Sequence, residues 1–379
     1  MIKNELCKSC GACKNSCPKN AITMKNSKYG FYIPSINDNL CIHCGMCDKV
    51  CENTHKKNDK KEQECFAVRT LNKQILRTSR SGGFFMELAR YVINTFDATV
   101  YGAVLNNNEP IYYGTNKIDE LKKFSGSKYV WCDPQNVFKE IYNLLNQGKY
   151  VLFSGLPCQV AGIKAYLLTK NIDLSKFLTT DIVCHGCPSK KIFHDYLKMQ
   201  EKKYKGSIML FNFRNKEEFG WKAHIESFVV NGKIHYSDKY TRTFYSHYAL
   251  NNACFYCEYK DIARVGDFSI ADCWGIEKKD SVLNDDKGTS LVMVNNGKAK
   301  NIFSELISEL YVDKINISEY MQPALIKSVD KPKDYEDFWN EYNKGFTYCL
   351  KKYVNYNLKR RLRFIFKIIY YKSKKGKVE

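Results

Sequence analysis

Tyr150-Val151-Leu152-Phe153-Ser154-Gly155-Leu156-Pro157-Cys158-Gln159 reads as a buried strand, a tight turn and the opening of a helix. Tyr150 to Phe153 is the predicted strand and Pro157 to Leu168 the predicted helix. In open α/β sheets ligands sit at the carboxyl ends of strands, and Cys158 stands at such an end. Asp181-Ile182-Val183-Cys184-His185-Gly186-Cys187-Pro188-Ser189 repeats the pattern after a strand predicted at Leu178 to Val183. Cys158 and Cys184 are therefore expected to face one crevice.

Working outward, the same alternation continues. Strands are predicted at Cys65 to Arg69, Ala98 to Leu105 and Leu291 to Val294, and helices at Ser81 to Ile93, Pro134 to Leu145 and Ser189 to Lys203. Alternation of this kind implies α/β layers. Two further cysteine-bearing pieces lie downstream, Cys254-Phe255-Tyr256-Cys257 and the run from Gly266 to Gly275 around Cys273. Ser79-Arg80-Ser81-Gly82-Gly83 precedes an apolar helix. Small residues there expose backbone N–H groups that suit a phosphate, although Ser before Gly-Gly also serves as a plain N-cap. Phe124-Ser125-Gly126-Ser127-Lys128-Tyr129 is a second Gly/Ser loop carrying a cation, or an ordinary turn.

The N-terminal end has a different texture. Cys7, Cys10, Cys13 and Cys17 are followed by Pro18, and Cys41, Cys44, Cys47 and Cys51 repeat the C-x2-C-x2-C-x3-C spacing. Two-residue gaps let a looping backbone put three thiolates on one face of a cluster. Gly11 and Gly45 permit the positive φ that such wrapping needs. The segment resembles bacterial two-cluster ferredoxins, in which the fourth cysteine of each run serves the other cluster. On that pattern Cys7, Cys10, Cys13 and Cys51 hold one [4Fe-4S] cluster, and Cys41, Cys44, Cys47 and Cys17 the second. Zinc sites bring cysteines in separated pairs, which two identical quartets are not. Glu52 stands where proline is usual. Tyr29 to Pro34 reads as a short strand and turn.

Bulk properties narrow the setting. The 379 residues allow one small and one large domain, and 44% hydrophobic with 26% charged residues is an ordinary globular balance. No stretch reaches the roughly 18 apolar residues of a spanning helix. Met1 to Leu6 has no apolar core like that of a signal peptide, so the chain is read as cytoplasmic. Seventeen cysteines is an odd count, and their spacings favour thiolate ligation of soft metals over disulfides. Net charge is +20, yet no nucleic-acid motif is present and no nucleic-acid partner is expected. Half of that charge lies in the tail, where residues 351–379 hold 11 Lys and Arg against one acid.

From about residue 65 to 325 the chain resembles the beta-subunit family of coenzyme F-420 (deazaflavin) hydrogenases and dehydrogenases. Eight pieces carry the likeness in order: SRSGGFF, GSKYV, FSGLPCQVAGIKAYL, CHGCPSK, FGW, CFYCEY, DFSIADCWGI and GTSLV. The resemblance implies FAD in the α/β domain and a third [4Fe-4S] cluster near it. Carried over by position, that cluster's ligands are Cys158, Cys184, Cys254 and Cys257. Two strand-end cysteines plus a C-x2-C agree with such a Cys₄ set. Ser81, Gly82, Gly83, Ser127, Lys128 and Tyr129 match segments that line the FAD. Two departures stand out. Cys187 replaces an apolar residue, so Cys184, Cys187, Cys254 and Cys257 also suit zinc, and Cys184 with Cys187 also suits a redox dithiol. Cys273 replaces an aromatic. Cys65, Cys132 and Cys349 read as small buried residues. His185 and His224 read as structural, and no catalytic side chain is nominated, since a flavin carries its own chemistry.

The expected organisation is an α+β ferredoxin-like domain over 1–64, an α/β flavin and iron–sulfur domain over 65–345, and a basic amphipathic helix over 346–379. The expected activity passes electrons between a small two-electron donor or acceptor and the clusters, with a redox protein or ferredoxin as partner. The alternatives are a ferredoxin-fed reductase of surface-polysaccharide precursors, a relay subunit without flavin, and a redox-sensing binding protein. In the tail, Leu358, Leu362, Ile365, Phe366 and Ile369 recur at helical spacing among Arg360, Arg361, Arg363 and Lys367. Such a helix either lies on anionic lipid at the inner membrane surface, or on an acidic partner, or docks on its own domain.

Overall fold

The computed structural model describes residues 4–53, 58, 63–278 and 282–375. Most of the polar stretch from Asn53 to Glu64, the boundary expected in it, the Glu52 side chain and residues 376–379 lie outside that description.

The two cysteine runs fold alike. Ser9 and Gly11 take φ of +56° and +78°, and His43 and Gly45 repeat this at +52° and +69°. Each run then releases a short helix, α1 (Ala12–Ser16) and α2 (Met46–Asn53). Between them lies an antiparallel hairpin of β1 (Ile22–Asn26) and β2 (Tyr32–Ile36), with Met24 opposite Pro34. The strand expected at 29–34 thus begins three residues later, because Gly30 takes φ +73° in the turn.

The body opens with β3 (Glu64–Thr70), α3 (Lys73–Thr78), α4 (Phe84–Phe96), β4 (Thr99–Asn106), β5 (Glu109–Thr115) and α5 (Val137–Asn146). It continues through β6 (Val151–Gly155), α6 (Pro157–Thr169), β7 (Phe177–Ile182) and α7 (Lys190–Tyr204). A three-stranded excursion follows: β8 (Ile208–Asn212), α8 (Lys216–Phe219), β9 (Glu226–Val230), β10 (Lys233–Ser237) and α9 (Lys239–Tyr245). The chain returns with β11 (Phe268–Asp272), β12 (Ser290–Val294), α10 (Gly297–Leu306) and β13 (Leu310–Lys314). It closes with α11 (Tyr335–Asn340), α12 (Phe346–Lys352) and α13 (Leu358–Lys375).

Eight strands form one mixed sheet in the order β13-β3-β12-β11-β7-β6-β4-β5. Its centre, β11-β7-β6-β4, is parallel, and antiparallel strands flank it on both sides. Alternate side chains of a strand face opposite sides. Leu152 accordingly packs beneath α4 and α10 with Phe84, Leu88, Val92 and Phe303, while Val151 and Phe153 pack beneath α5 and α6 with Phe138, Val160 and Ile163. This α/β layering matches the alternation of predicted elements. The excursion β10-β9-β8 forms a separate antiparallel sheet that packs with α7, α9, α11 and α12.

The cysteine head shares the body's core. Ala12 and Val50 are buried in the cluster around α5 and α6. Phe31 packs on Trp131 beside Cys187, with Tyr32 edge-on to the same indole at 5.2 Å. The tail differs from the expected continuous helix over 346–379. Phe346, Cys349 and Leu350 of α12 are buried with α7, and Asn355 then takes φ +53°. Asn357 accepts from the Arg360 N–H and starts α13 afresh.

Candidate functional site

The carboxyl ends of the parallel strands β6, β7 and β11 point one way, and each leads into residues with chemistry to offer. After β6, Gln159 locks the turn. Its Oε1 accepts from Leu156 N–H at 3.0 Å and from the Tyr112 hydroxyl at 2.7 Å, and its Nε2 donates to Cys132 O at 2.8 Å. This fixes Cys158 in the first turn of α6. After β7, the Lys260 ammonium donates to the carbonyls of Cys184 and His185. Gly186 has no room for a side chain, since a Cβ would meet Leu250 at 2.6 Å.

Cys254 and Cys257 arrive on the loop between α9 and β11. Asp181 and Arg264 fasten that loop to β7 through a buried ion pair at 2.5 Å. Asp181 also accepts from the N–H groups of Val265 and Gly266, and Arg264 donates to the carbonyls of Tyr259, Asp261 and Ile182.

The result is a nest of sulfurs. Burial pushes the Cys158 thiol well up, and Cys257, Cys184 and Cys254 push it further. Burial raises Cys254 to about 12, with Cys184 and Cys257 adding to it. Thiols that disfavour one another's ionisation are stabilised as thiolates by a shared cation. Cys187 lies in the same nest, but it is buried against Phe31 and Trp131 and its backbone N–H points at Cys254 Sγ, 3.4 Å away. Among the described residues no three His, Cys, Asp or Glu side chains converge as ligands of a single ion would.

In the head, burial pushes Cys13 up, and so do Cys10, Cys7 and Cys51. Cys51, at about 12, is raised by burial and by Cys10 and Cys7. The fourth cysteine of the second run thus stands with the first three of the first run. Cys17 accepts from the Ala21 N–H at 3.3 Å, Cys44 is exposed, and Cys41 and Cys47 are half-buried.

This first quartet abuts the body. A Cβ at Gly162, one turn beyond Cys158 on α6, would meet Cys10 Sγ at 3.0 Å, and Cys10 adds to the upward push on Cys158. Gly162→Leu is therefore expected to drive Cys10 away and to lower iron by about four atoms per chain, one cluster. Iron analysis beside the wild type checks this.

Beyond His185 the crevice becomes aromatic and cationic. His185 lies 5.3 Å from the Tyr245 ring and 3.0 Å, nitrogen to nitrogen, from His247. The Tyr245 hydroxyl is 3.3 Å from His224, and His224 stacks towards Trp274, which lies flat on Trp221 at 4.8 Å. Behind these rings sit Arg80, Arg214 and Asp272. Arg214 donates to Asp272 at 2.7 Å and to the Tyr129 hydroxyl at 3.0 Å. Arg80 donates to the carbonyls of Trp221, Arg214 and Ala223 and has no carboxylate partner among the described residues.

Two buried guanidiniums thus share Asp272, and Asp286 acts more weakly on Arg80. Burial and Arg214 bring Arg80 down to about 10. Burial, then Arg80, lowers Lys216 to about 7. Burial followed by Arg214, Arg80 and Lys367 holds His224 at about 3, so its ring is neutral. Against the upward push of burial, Arg214 and Arg80 keep Asp272 below the usual carboxylate range. Among the described residues the buried Nε atoms of both arginines have no partner. An anion would satisfy this excess.

The residues expected to line FAD are placed unequally. Ser81 Oγ donates to Thr289 O at 2.6 Å and Gly82 N–H to Ser290 Oγ at 2.9 Å, while a Cβ at Gly82 would strike Val68 O at 2.1 Å. At Gly83, φ is +86° where α4 begins. Lys128 donates to the carbonyls of residues 123–126. Ser127 is half-buried beside it. The Ser81–Gly82 turn therefore spends its polar groups inside the fold, whereas Tyr129 reaches the crevice through its hydrogen bond with Arg214. Sequence reasoning misses Arg80, Arg214, Asp272, Trp221 and Trp274 as site residues. A signal for all but Arg214 exists, since they lie within SRSGGFF, FGW and DFSIADCWGI.

Residues 148–320 match the family of the coenzyme F420 hydrogenase/dehydrogenase, at the C terminus of its beta subunit. Residues 6–54 match a 4Fe-4S dicluster domain. No curated protein matches the chain. Among solved structures, the F420-reducing [NiFe] hydrogenase complex from Methanosarcina barkeri contains a similar chain. The identity is 17%, the match covers 68% of this chain and 85% of that one, and the TM-score is 0.48.

Proposed function

We propose an iron–sulfur flavoprotein that moves electrons between a two-electron substrate and a chain of clusters, since residues 148–320 match the coenzyme F420 hydrogenase/dehydrogenase beta-subunit family and residues 6–54 match a 4Fe-4S dicluster domain. The observation that carries the proposal is one juxtaposition: the sulfur nest and the cationic aromatic crevice open side by side at the ends of β6, β7 and β11.

Cys7, Cys10, Cys13 and Cys51 would hold one head cluster, and Cys17, Cys41, Cys44 and Cys47 the other. Cys158, Cys184, Cys254 and Cys257 would hold a third, with Cys187 supporting from behind. FAD, when bound, would supply a centre that takes electrons in pairs and releases them singly. Arg80 and Arg214 would neutralise its anionic groups or those of the substrate. Trp274 and Tyr245 offer flat surfaces for a ring. His224, neutral at working pH, avoids adding to the positive charge. The substrate would be the deazaflavin coenzyme or a compound like it, and the partner at the outer end a redox protein such as ferredoxin.

Arg80→Met is expected to weaken FAD binding to the flavin-stripped protein by about 10- to 100-fold, the worth of one or two charge-assisted hydrogen bonds. Arg80→Lys should recover part of the loss. Fluorescence titration measures both. Wild-type protein that retains its iron yet binds no FAD would replace this reading with that of a relay subunit.

A further inference from the structure

Helix α13 spans Leu358–Lys375 and lies outside the matched family region. It meets the body along one narrow face. Phe364 is buried with Phe219, Ala223 and Ile225, and Ile368 and Tyr371 pack against the same cluster. Lys367 donates to the carbonyl of His224 at 3.3 Å, and Lys372 pairs with Glu218 at 3.2 Å while covering the Tyr236 ring. Phe364, Ile368 and Tyr371 recur at i, i+4 and i+7, so they make one stripe.

That stripe is not the main apolar face. Leu358, Leu362, Ile365 and Ile369 form a second one, widened by Phe366 and Tyr370. These six side chains are between 48% and 69% exposed. At 3.6 residues per turn they fill an arc of about 140°. Lys359 falls within the arc between Phe366 and Tyr370, Arg363 borders it on that side and Arg361 on the other. All three are exposed and make no ion pair among the described residues. Leaving six large apolar side chains in water on one helix is unusual unless something covers them.

A cleft of about 470 Å³ runs beside the helix between α7, β10 and α12. Lys203, Lys239, Lys351 and Arg361 line it together with Ile365 and Ile368, and among the described residues no Asp or Glu does. Burial lowers Lys239, and Lys203 and Arg361 lower it further. Glu226 and Asp238 offset part of that push, so the cations outnumber the carboxylates beside them.

We propose that α13 seats the protein on an anionic phospholipid surface, with the Leu358–Ile369 stripe among the acyl chains and a lipid phosphate in the four-cation cleft. The helix cannot span, because none among the described residues is long and apolar enough to cross a membrane. It has what a helix lying in the interface needs, an apolar face bordered by Lys and Arg. A second copy of the chain is a poor cover. Residues 351–379 hold 11 Lys and Arg against one acid, and a two-fold contact would set that charge against itself. Because the helix rests on Phe219–Ile225, the segment bearing Trp221 and His224, the lipid surface would stand directly behind the crevice. The inference does not depend on the redox reading.

The test uses the full chain, purified without oxygen, and sedimentation with vesicles of phosphatidylcholine alone or mixed with phosphatidylglycerol. Wild type is expected to sediment with the mixed vesicles only. The variant Leu362→Ser/Ile365→Ser/Phe366→Ser/Ile369→Ser, which leaves the docking stripe intact, should bind at least about a hundredfold more weakly. Lys203→Gln/Lys239→Gln/Lys351→Gln should lose about fivefold per removed cation. Unchanged iron content confirms that each variant is folded. Wild type left in the supernatant with mixed vesicles overturns the proposal. So does equal binding by the stripe variant, and so does a wild-type dimer that the stripe variant dissolves while neither sediments with lipid.

Discussion

Cys158→Ser protein, purified without oxygen, is expected to hold about four irons fewer per chain than wild type, one whole cluster. The reason is the enclosure of the nest. Cys158 is surrounded by Cys257, Cys184 and Cys254, and its place in the first turn of α6 is fixed by Gln159. A three-thiolate remainder would leave one iron without a protein ligand in a site whose sulfurs are largely withdrawn from water. The head quartets should be untouched, so their signals in electron paramagnetic resonance survive. Cys187→Ser is the matched comparison. It removes a buried thiol whose backbone N–H still reaches Cys254, and it should keep the full iron count. If Cys187→Ser loses the iron and Cys158→Ser keeps it, the cluster's ligand set is Cys184, Cys187, Cys254 and Cys257; zinc lost from Cys187→Ser in place of iron would return the zinc reading.

Arg264→Leu should be the most destabilising substitution in the body. Asp181 and Arg264 are both buried, their ion pair is 2.5 Å long, and Arg264 also serves three backbone carbonyls. Removing one member of such a pair strands the other charge and costs about 3–5 kcal/mol. A fall of that size in urea-unfolding free energy is the expected result, together with loss of the cluster proposed at Cys158, because the loop bearing Cys254 and Cys257 is then tied to Asp181 only through the Val265 and Gly266 N–H groups. Adding Asp181→Asn should restore part of the stability by discharging the stranded carboxylate. A stability loss below about 1 kcal/mol would place the pair with ordinary surface ion pairs.

What can be read from the chain and what cannot divides along physical lines. Val151-Leu152-Phe153 and Leu291-Val292-Met293-Val294 are continuous apolar runs, as strands buried on both faces must be, and they form β6 and β12. Ile208-Met209-Leu210-Phe211-Asn212 is as apolar, yet Met209 and Leu210 are exposed at a register shift. No period marks β8, so its sequence does not announce a strand. Lys233–Ser237 and Leu310–Lys314 are short edge strands of mixed polarity, and the pairing of the second is decided by β3, far away in sequence. The cysteine quartets are legible because local spacing alone sets their geometry. Even the exchange of Cys51 into the first quartet follows from α1 and α2 being equivalent helices side by side. The cationic crevice is not legible. Arg80, Arg214 with Trp221, and Asp272 come from three distant stretches, and Arg80 is brought towards Asp272 by Ser290, which pairs with Asp272 and accepts from the Gly82 N–H. The tail is legible as amphipathic, but not which of its two apolar stripes docks. Phe364, Ile368 and Tyr371 make the shorter stripe, and it is the one that packs on Phe219, Ala223 and Ile225.

The central claim is that one chain joins a flavin to three clusters. Iron, labile sulfide and released flavin counted together on wild-type protein purified without oxygen test it most directly. About twelve irons per chain, at four per cluster, with matching sulfide and one FAD is the expected result. About eight irons with one zinc and no flavin would contradict it.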